Sequence, residues 1–153
     1  MTLRPAARLS GRRVLFIDFD GVLHPGPGAK GIAQSLSTGA FGWLPALVEI
    51  LQPHTDVAVV VHSSWRAVYN EEELKDILSD LGSRVLGATP IGARYESILR
   101  WLADRPEFTS VRILDDDVTE FPKPLPEELI VCDPNCGVMD AKVMAALREW
   151  LST

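Results

Sequence analysis

Cysteine is scarce in this sequence: the 153 residues contain two, Cys132 and Cys136. Two thiols with three residues between them cannot build a disulfide framework, and structural thiols in a reducing compartment are the expectation. A zinc site would have to borrow from His24, His54 and His62, so buried thiols are the simpler reading. Long apolar runs are missing as well. Val57 to Val61 is strand-sized, far short of the ~20 residues of a membrane span. Arg4 and Arg8 are followed by no apolar signal core before Val14, which argues against a secretory leader. A cytoplasmic protein without a membrane partner is expected.

Positive charge is the third shortage. Lys and Arg number 15 against 21 Asp and Glu, for a net charge of −6. Four of the cations, Arg4, Arg8, Arg12 and Arg13, precede the first acidic residue, Asp18, so the rest of the chain carries −10. That balance excludes a broad basic face for duplex nucleic acid, because phosphate neutralisation needs many cations. Residues 1–12 read as a basic arm and 13–153 as a single domain. An apolar fraction of 46% is enough for one core.

Apolar runs from Arg13, Asp56, Arg84, Val111 and Leu129 read as five strands. They are apolar on both faces, as buried parallel strands are. Between them lie helical segments. Leu44 to Leu51 has Pro45 in its first turn. A stripe of Leu74, Ile77, Leu78 and Leu81 opens at Asn70-Glu-Glu-Glu and closes at Gly82. Tyr95, Ile98, Leu99 and Leu102 form another stripe, and Ala141 to Leu151 a last amphipathic helix. Alternating strands and helices predict a three-layer α/β/α Rossmann-like fold around a parallel sheet, with ligands beyond the carboxyl ends of the strands. The Gly- and Pro-rich stretch from Pro25 to Gly42 is a long loop and the candidate lid.

Chemistry-bearing residues collect at those strand ends. The first strand ends in Asp18-Phe-Asp-Gly, the second in Ser63-Ser64, the fourth in Asp115-Asp-Asp. At least four carboxylates on one rim repel one another unless protons or a cation intervene. Oxygen ligands in a partly hydrated site suit Mg²⁺. Ser63 or Ser64 could donate to a phosphoryl oxygen, and Arg94 could offset excess negative charge.

The run Asp18-Phe-Asp-Gly-Val-Leu-His-Pro after an apolar strand resembles the first motif of the haloacid dehalogenase superfamily. The remaining motifs follow in order at Ser63, Arg94 and Asp115-Asp116. Ser63-Ser64-Trp65-Arg66 and Ile113-Leu-Asp-Asp-Asp are closest to the small branch described as the haloacid-dehalogenase-like domain of RNA repair proteins. The resemblance implies a Mg²⁺-dependent phosphomonoester hydrolase. Asp18 would be the nucleophile that forms an aspartyl-phosphate, and Asp20 the general acid and then base. Asp18, the main-chain carbonyl of Asp20, and Asp116 would hold the metal, with Asp115 supporting them. Ser63, directly after the apolar strand, is preferred to Ser64. Arg94 stands where the superfamily more often has lysine; Lys75 and Lys123 fit the order less well. Asp117 and Glu120 are alternatives to Asp115.

No segment is long enough to be a cap domain. By resemblance, capless members often act on phosphates presented by macromolecules, so a nucleic-acid end is one candidate partner, with the arm from Arg4 to Arg13 on its backbone, and a phosphoprotein or a small phosphoester stays open. A partner subunit supplying a lid fits equally. Trp65 could stack on a base, though a core or rim position is the simpler reading. The competing class is a noncatalytic phosphate-binding or phospho-accepting module. Asp20 argues against it, since such a module needs no positioned proton donor.

Overall fold

Five consecutive β-branched or small apolar residues, Val57 to Val61, are fully buried, and the whole sheet follows that logic. The computed structural model describes residues 11–25 and 41–153. Arg4, Arg8 and most of the expected lid loop lie outside the described residues. In chain order the elements are β1 (Arg12–Ile17), α1 (Leu44–Leu51), β2 (Val57–Val61), α2 (Glu71–Ile77), β3 (Val85–Ala88), α3 (Arg94–Ala103), β4 (Phe108–Asp115), β5 (Leu129–Val131) and α4 (Ala141–Leu151). All strand pairs are parallel, in the order β3-β2-β1-β4-β5. This is the expected Rossmann-like α/β core, and no cap domain is present among the described residues.

Alternation along β1 divides the core. Leu15 and Ile17 face a cluster with Leu47 and Leu51 of α1, Leu74 of α2, and Val143, Leu147 and Trp150 of α4. Val14 and Phe16 face the other side, where Ile98 and Trp101 of α3 pack with Phe108 and Phe121. A strand buried on both faces therefore lies between two helical layers. No described helix is long and apolar enough to cross a membrane.

Two boundaries differ from the sequence reading. The helix opening at Asn70 does form its capping box, with reciprocal bonds between Asn70 and Glu73. It ends at Ile77, however, and a 3₁₀ segment, Ser79–Arg84, carries the chain through Gly82 at φ 69°. Leu81 reaches the core from that segment. Second, Arg12, placed in the arm, opens β1, and Arg13, where the domain was expected to begin, is its second residue. The Arg12 N–H bonds the Glu107 carbonyl and its guanidinium lies over the Phe108 ring. Arg13 forks onto both oxygens of Asp56 at 2.7 and 2.8 Å and donates to the Leu151 carbonyl. Of the four arm cations, these two are committed to the fold.

Register delivers the site. Ile17 is level with Val61 on one side and Leu114 on the other. The next residues, Asp18, His62 and Asp115, therefore emerge side by side on the carboxyl edge. The ladder continues into them: Asp18 N–H donates to the Leu114 carbonyl and His62 N–H to the Ile17 carbonyl.

Candidate active site

Asp18, Asp115 and Asp116 offer carboxylate oxygens that all lie within 4.8 Å of one another. Asp18 and Asp115 are buried and Asp116 is half-buried. Arg94, the first residue of α3, reaches between them. Its Nη1 is 3.0 Å from Asp18 Oδ2 and 2.7 Å from Asp115 Oδ2. Asp115 also accepts from His62 Nε2 at 2.8 Å and from the Asp117 N–H at 2.9 Å. Both of its oxygens are thus engaged, and it serves as the frame that holds Arg94. Asp116 lies over Gly21, where the chain turns with φ 78°. A Cβ there would come within 2.3 Å of the Asp116 carboxylate, so only glycine admits it.

Three acids and one guanidinium leave the cluster short of positive charge. Burial pushes the Asp18 carboxyl up to about 8, with the Asp115 charge adding to it. Arg94 and the Phe19 N–H act the other way and do not offset them. Asp116 is raised for the same two reasons. Burial would raise Asp115 too, but the hydrogen bond from His62 and the charge of Arg94 hold it below the ordinary carboxylate value. His62, wholly buried, is pushed toward its neutral form. A hard divalent cation fits this donor set: all-oxygen ligands, Asp18 and Asp116 with free lone pairs, and excess negative charge. Neither cysteine belongs to the group. Among the described residues Cys132 is a free, buried core thiol and Cys136 is free and half-buried.

The Asp20 carboxylate faces different company. His24 Nε2 lies 2.6 Å from its Oδ1, and Trp65 Nε1 donates to its Oδ2 at 3.2 Å. The Phe41 N–H donates to His24 Nδ1, so Nε2 is the ring nitrogen that donates to Asp20. The hydrogen bond from His24 holds Asp20 below the usual carboxylate range, with that from Trp65 assisting against partial burial. Phe19, Phe41, His24 and Trp65 pack edge to face around it, and Tyr69 stacks on Trp65. Asp20 is not in the carboxylate cluster, so a part in metal binding rests on its main-chain carbonyl.

Ser63 is fully buried, and its Oγ accepts from the Trp65 N–H at 3.1 Å, capping a 3₁₀ turn over Ser64–Ala67. Its hydroxyl proton stays available. Ser64 lies on the wall of a cavity of about 280 Å³ that it shares with Arg66, Gly92, Arg94 and Glu120. Asp117 caps its own turn through the Thr119 N–H. Lys75 and Lys123 are exposed and make no ion pair with the cluster among the described residues.

Sequence reasoning named four residues that build this site, His24, His62, Trp65 and Arg66, without giving them these roles. His62 had a readable signal, a polar ring at the end of a wholly apolar strand. Arg66 donates to the carbonyls of His62, Ser63 and Gly92 and so fixes the loop before α3; it stood out only as the end of the Ser63-Ser64-Trp65-Arg66 run. Comparison with known families gives one finding: the model described as the HAD domain in Swiss Army Knife RNA repair proteins matches residues 14–143. A search of curated proteins finds no match.

Proposed function

The chain belongs to the haloacid dehalogenase (HAD) domain family of Swiss Army Knife RNA repair proteins, and from that membership we propose a magnesium-dependent phosphomonoester hydrolase working through an aspartyl-phosphate. The observation that carries the reading is the division of labour between two carboxylates one residue apart. Asp18 sits in an acid cluster short of positive charge, and Asp20 in a separate cradle of hydrogen-bond donors.

An Asp18 oxygen attacks phosphorus and the ester P–O bond breaks. The departing oxygen takes its proton from Asp20. Water then attacks the acyl phosphate at phosphorus, Asp20 takes the water's proton, and the bond to Asp18 breaks to release phosphate. Arg94 steadies Asp18 and the equatorial oxygens. A phosphoryl oxygen also meets the hydroxyl of Ser63 or of Ser64, and Ser64 is favoured by its place on the cavity wall. Magnesium held by Asp18, Asp116 and the Asp20 carbonyl would supply the charge that keeps Asp18 ionised beside a phosphate dianion. Because His24 and Trp65 stabilise the Asp20 carboxylate, the resting enzyme is set for the second, water-activating half. The first half draws on a proton that Asp20 takes up before or with substrate. A noncatalytic phosphate-binding module would have no use for that cradle.

The site has no cap domain over it among the described residues. We read its substrate as a phosphate on the end of a larger chain, in keeping with the RNA repair proteins of its family. The test is release of inorganic phosphate from phosphorylated oligonucleotides, nucleotides and p-nitrophenyl phosphate, with Mg²⁺ and with chelator. Asp18→Asn should fall at least ~10³-fold. Equal residual activity in wild type and variant would remove the assignment.

A further inference from the structure

The cavity at Arg94 does not end there. It shares Arg66 and Ile91 with a larger groove of about 570 Å³. That groove runs past the exposed Tyr69 to Arg100 and Arg105. Arg100 lies about 9 Å beyond Arg94 along the α3 axis. Four features of this trough have no use in the chemistry at Asp18.

Arg100 is exposed, and no carboxylate among the described residues lies within ion-pair distance of it. Arg105 has its guanidinium carbon over the Trp101 ring, 4.1 Å from its centroid, and is anchored by one bond to the Trp101 carbonyl. Its other donors are left over. Thr89 lines the groove, is only 4% exposed, and its hydroxyl has no partner among the described residues. Ile91, 64% exposed, and Tyr69 offer apolar surface at the junction of the two cavities.

We propose that this trough is the track for a single-stranded nucleic acid whose terminal phosphate lies at Arg94. Arg100 and Arg105 take the following backbone phosphates, and the terminal base rests on Ile91 and Tyr69. The proposal rests on the phosphohydrolase reading, and what it adds is the single-stranded form of the chain and the residues that hold it behind the terminal phosphate. The trough is slightly positive: Arg66, Arg94, Arg100 and Arg105 stand against Glu71, Asp104 and Glu120, and with Arg66 committed to three carbonyls, Arg100 and Arg105 are the donors left for backbone phosphates. One of those acids, Glu71, is already bound to the Ala88 N–H. That same bond argues against a phosphopeptide, because an extended peptide would pair along the β3 edge and there finds Ala88 taken. Guanidiniums spaced along a groove, with ring-sized apolar surface between them, suit a strand with unstacked bases.

The test uses phosphorylated single strands of one, three and six nucleotides, a phosphopeptide, and p-nitrophenyl phosphate. Binding is read by fluorescence anisotropy in the Asp18→Asn background, and kinetics in otherwise wild-type protein. The hexamer should bind tighter than the mononucleotide. Arg100→Ala should weaken the hexamer about tenfold and lower its salt slope by about one, as loss of one phosphate contact does. The kcat/KM for p-nitrophenyl phosphate should stay within about twofold, because Arg100 does not reach the reacting atoms. Thr89→Val should weaken the hexamer without changing the salt slope. Equal affinity for one and six nucleotides, indifference to Arg100→Ala, or a length gain confined to the phosphopeptide would each overturn the proposal. If no substrate is hydrolysed yet the hexamer binds in an Arg100-dependent way, the track stands and the catalytic reading falls.

Discussion

Asp18 and Asp20 are separated by a single residue, and the fold gives them opposite surroundings. Asp18 is 2% exposed, faces two other carboxylates, and is pushed up to about 8 by burial and by Asp115. The Asp20 side chain is 32% exposed, faces an imidazole and an indole N–H, and is held below the ordinary carboxylate range by His24 first and Trp65 second. The divergence begins at Phe19, whose ring is buried among Phe41 and Trp65. The chain turns there, leaving Asp18 on the sheet edge and lifting Asp20 into the aromatic cradle. Burial with like charges makes a site that calls for a cation. Hydrogen-bond donors around a partly wetted acid make a site that moves protons. One short sequence holds both because the chain leaves the strand between them.

The largest effect that breaks this comparison is removal of the proton-moving half. Asp20→Asn keeps size and can still accept at Oδ1, so folding should survive. Turnover should fall about 10²-fold or more, the usual worth of a positioned acid or base. The drop should be steeper for alkyl than for aryl phosphates, since a poor leaving group depends more on the proton. A uniform drop across leaving groups would mean that Asp20 only shapes the site.

How much of this contrast could be read from the sequence follows from its physical origin. The acid cluster was legible, because parallel strands buried on both faces announce themselves as apolar runs and their ends fall on one rim. The spans of α1 and α4 were legible for the same reason, each having an apolar stripe and a clear stop. The cradle was not. Trp65 lies 45 positions from Asp20, and their meeting depends on the Ile17–Val61 register and on the 3₁₀ turn after Ser63. Arg12 and Arg13 misled for a related reason. As a local charge run they look like a solvated arm, and only the distant Asp56, Phe108 and Leu151 carbonyl show them to be structural.

A second effect sharpens the Asp18 half. Its folded value, about 8, lies above the unfolded 3.8. The folded protein therefore holds a proton that the unfolded chain has released. The stability this proton gives is fully present below about pH 4 and is lost as pH rises through about 8. Metal-free wild type should weaken across that window while Asp18→Asn does not. The variant should lead by about 5 °C or more in Tm at pH 8 and by less at pH 5. Mg²⁺ competes with the same proton, so its affinity for wild type should climb up to about tenfold per pH unit below 8 and level off above. Thermal melts of both proteins at pH 5, 6.5 and 8, with and without Mg²⁺, check both statements. Parallel curves for the two proteins would remove the account of Asp18 as a carboxyl raised by burial and by the Asp115 charge.

The smallest effect isolates one donor of the cradle. Trp65→Phe keeps a ring against Phe19, Phe41 and Tyr69 but deletes the N–H that bonds Asp20 Oδ2. His24 remains, and it is the stronger of the two influences. Losing the lesser donor relaxes Asp20 toward the ordinary carboxylate value, so its proton is held more tightly. The limb of the pH–kcat profile that belongs to Asp20 should move to higher pH, and kcat at neutral pH should change only about threefold. A packing defect would lower kcat evenly at every pH and leave the limb in place. The Asp18 half supplies the control: the pH dependence of Mg²⁺ affinity should be the same in Trp65→Phe as in wild type. If that dependence shifts along with the limb, the two carboxylates are one coupled unit and not two separately built environments.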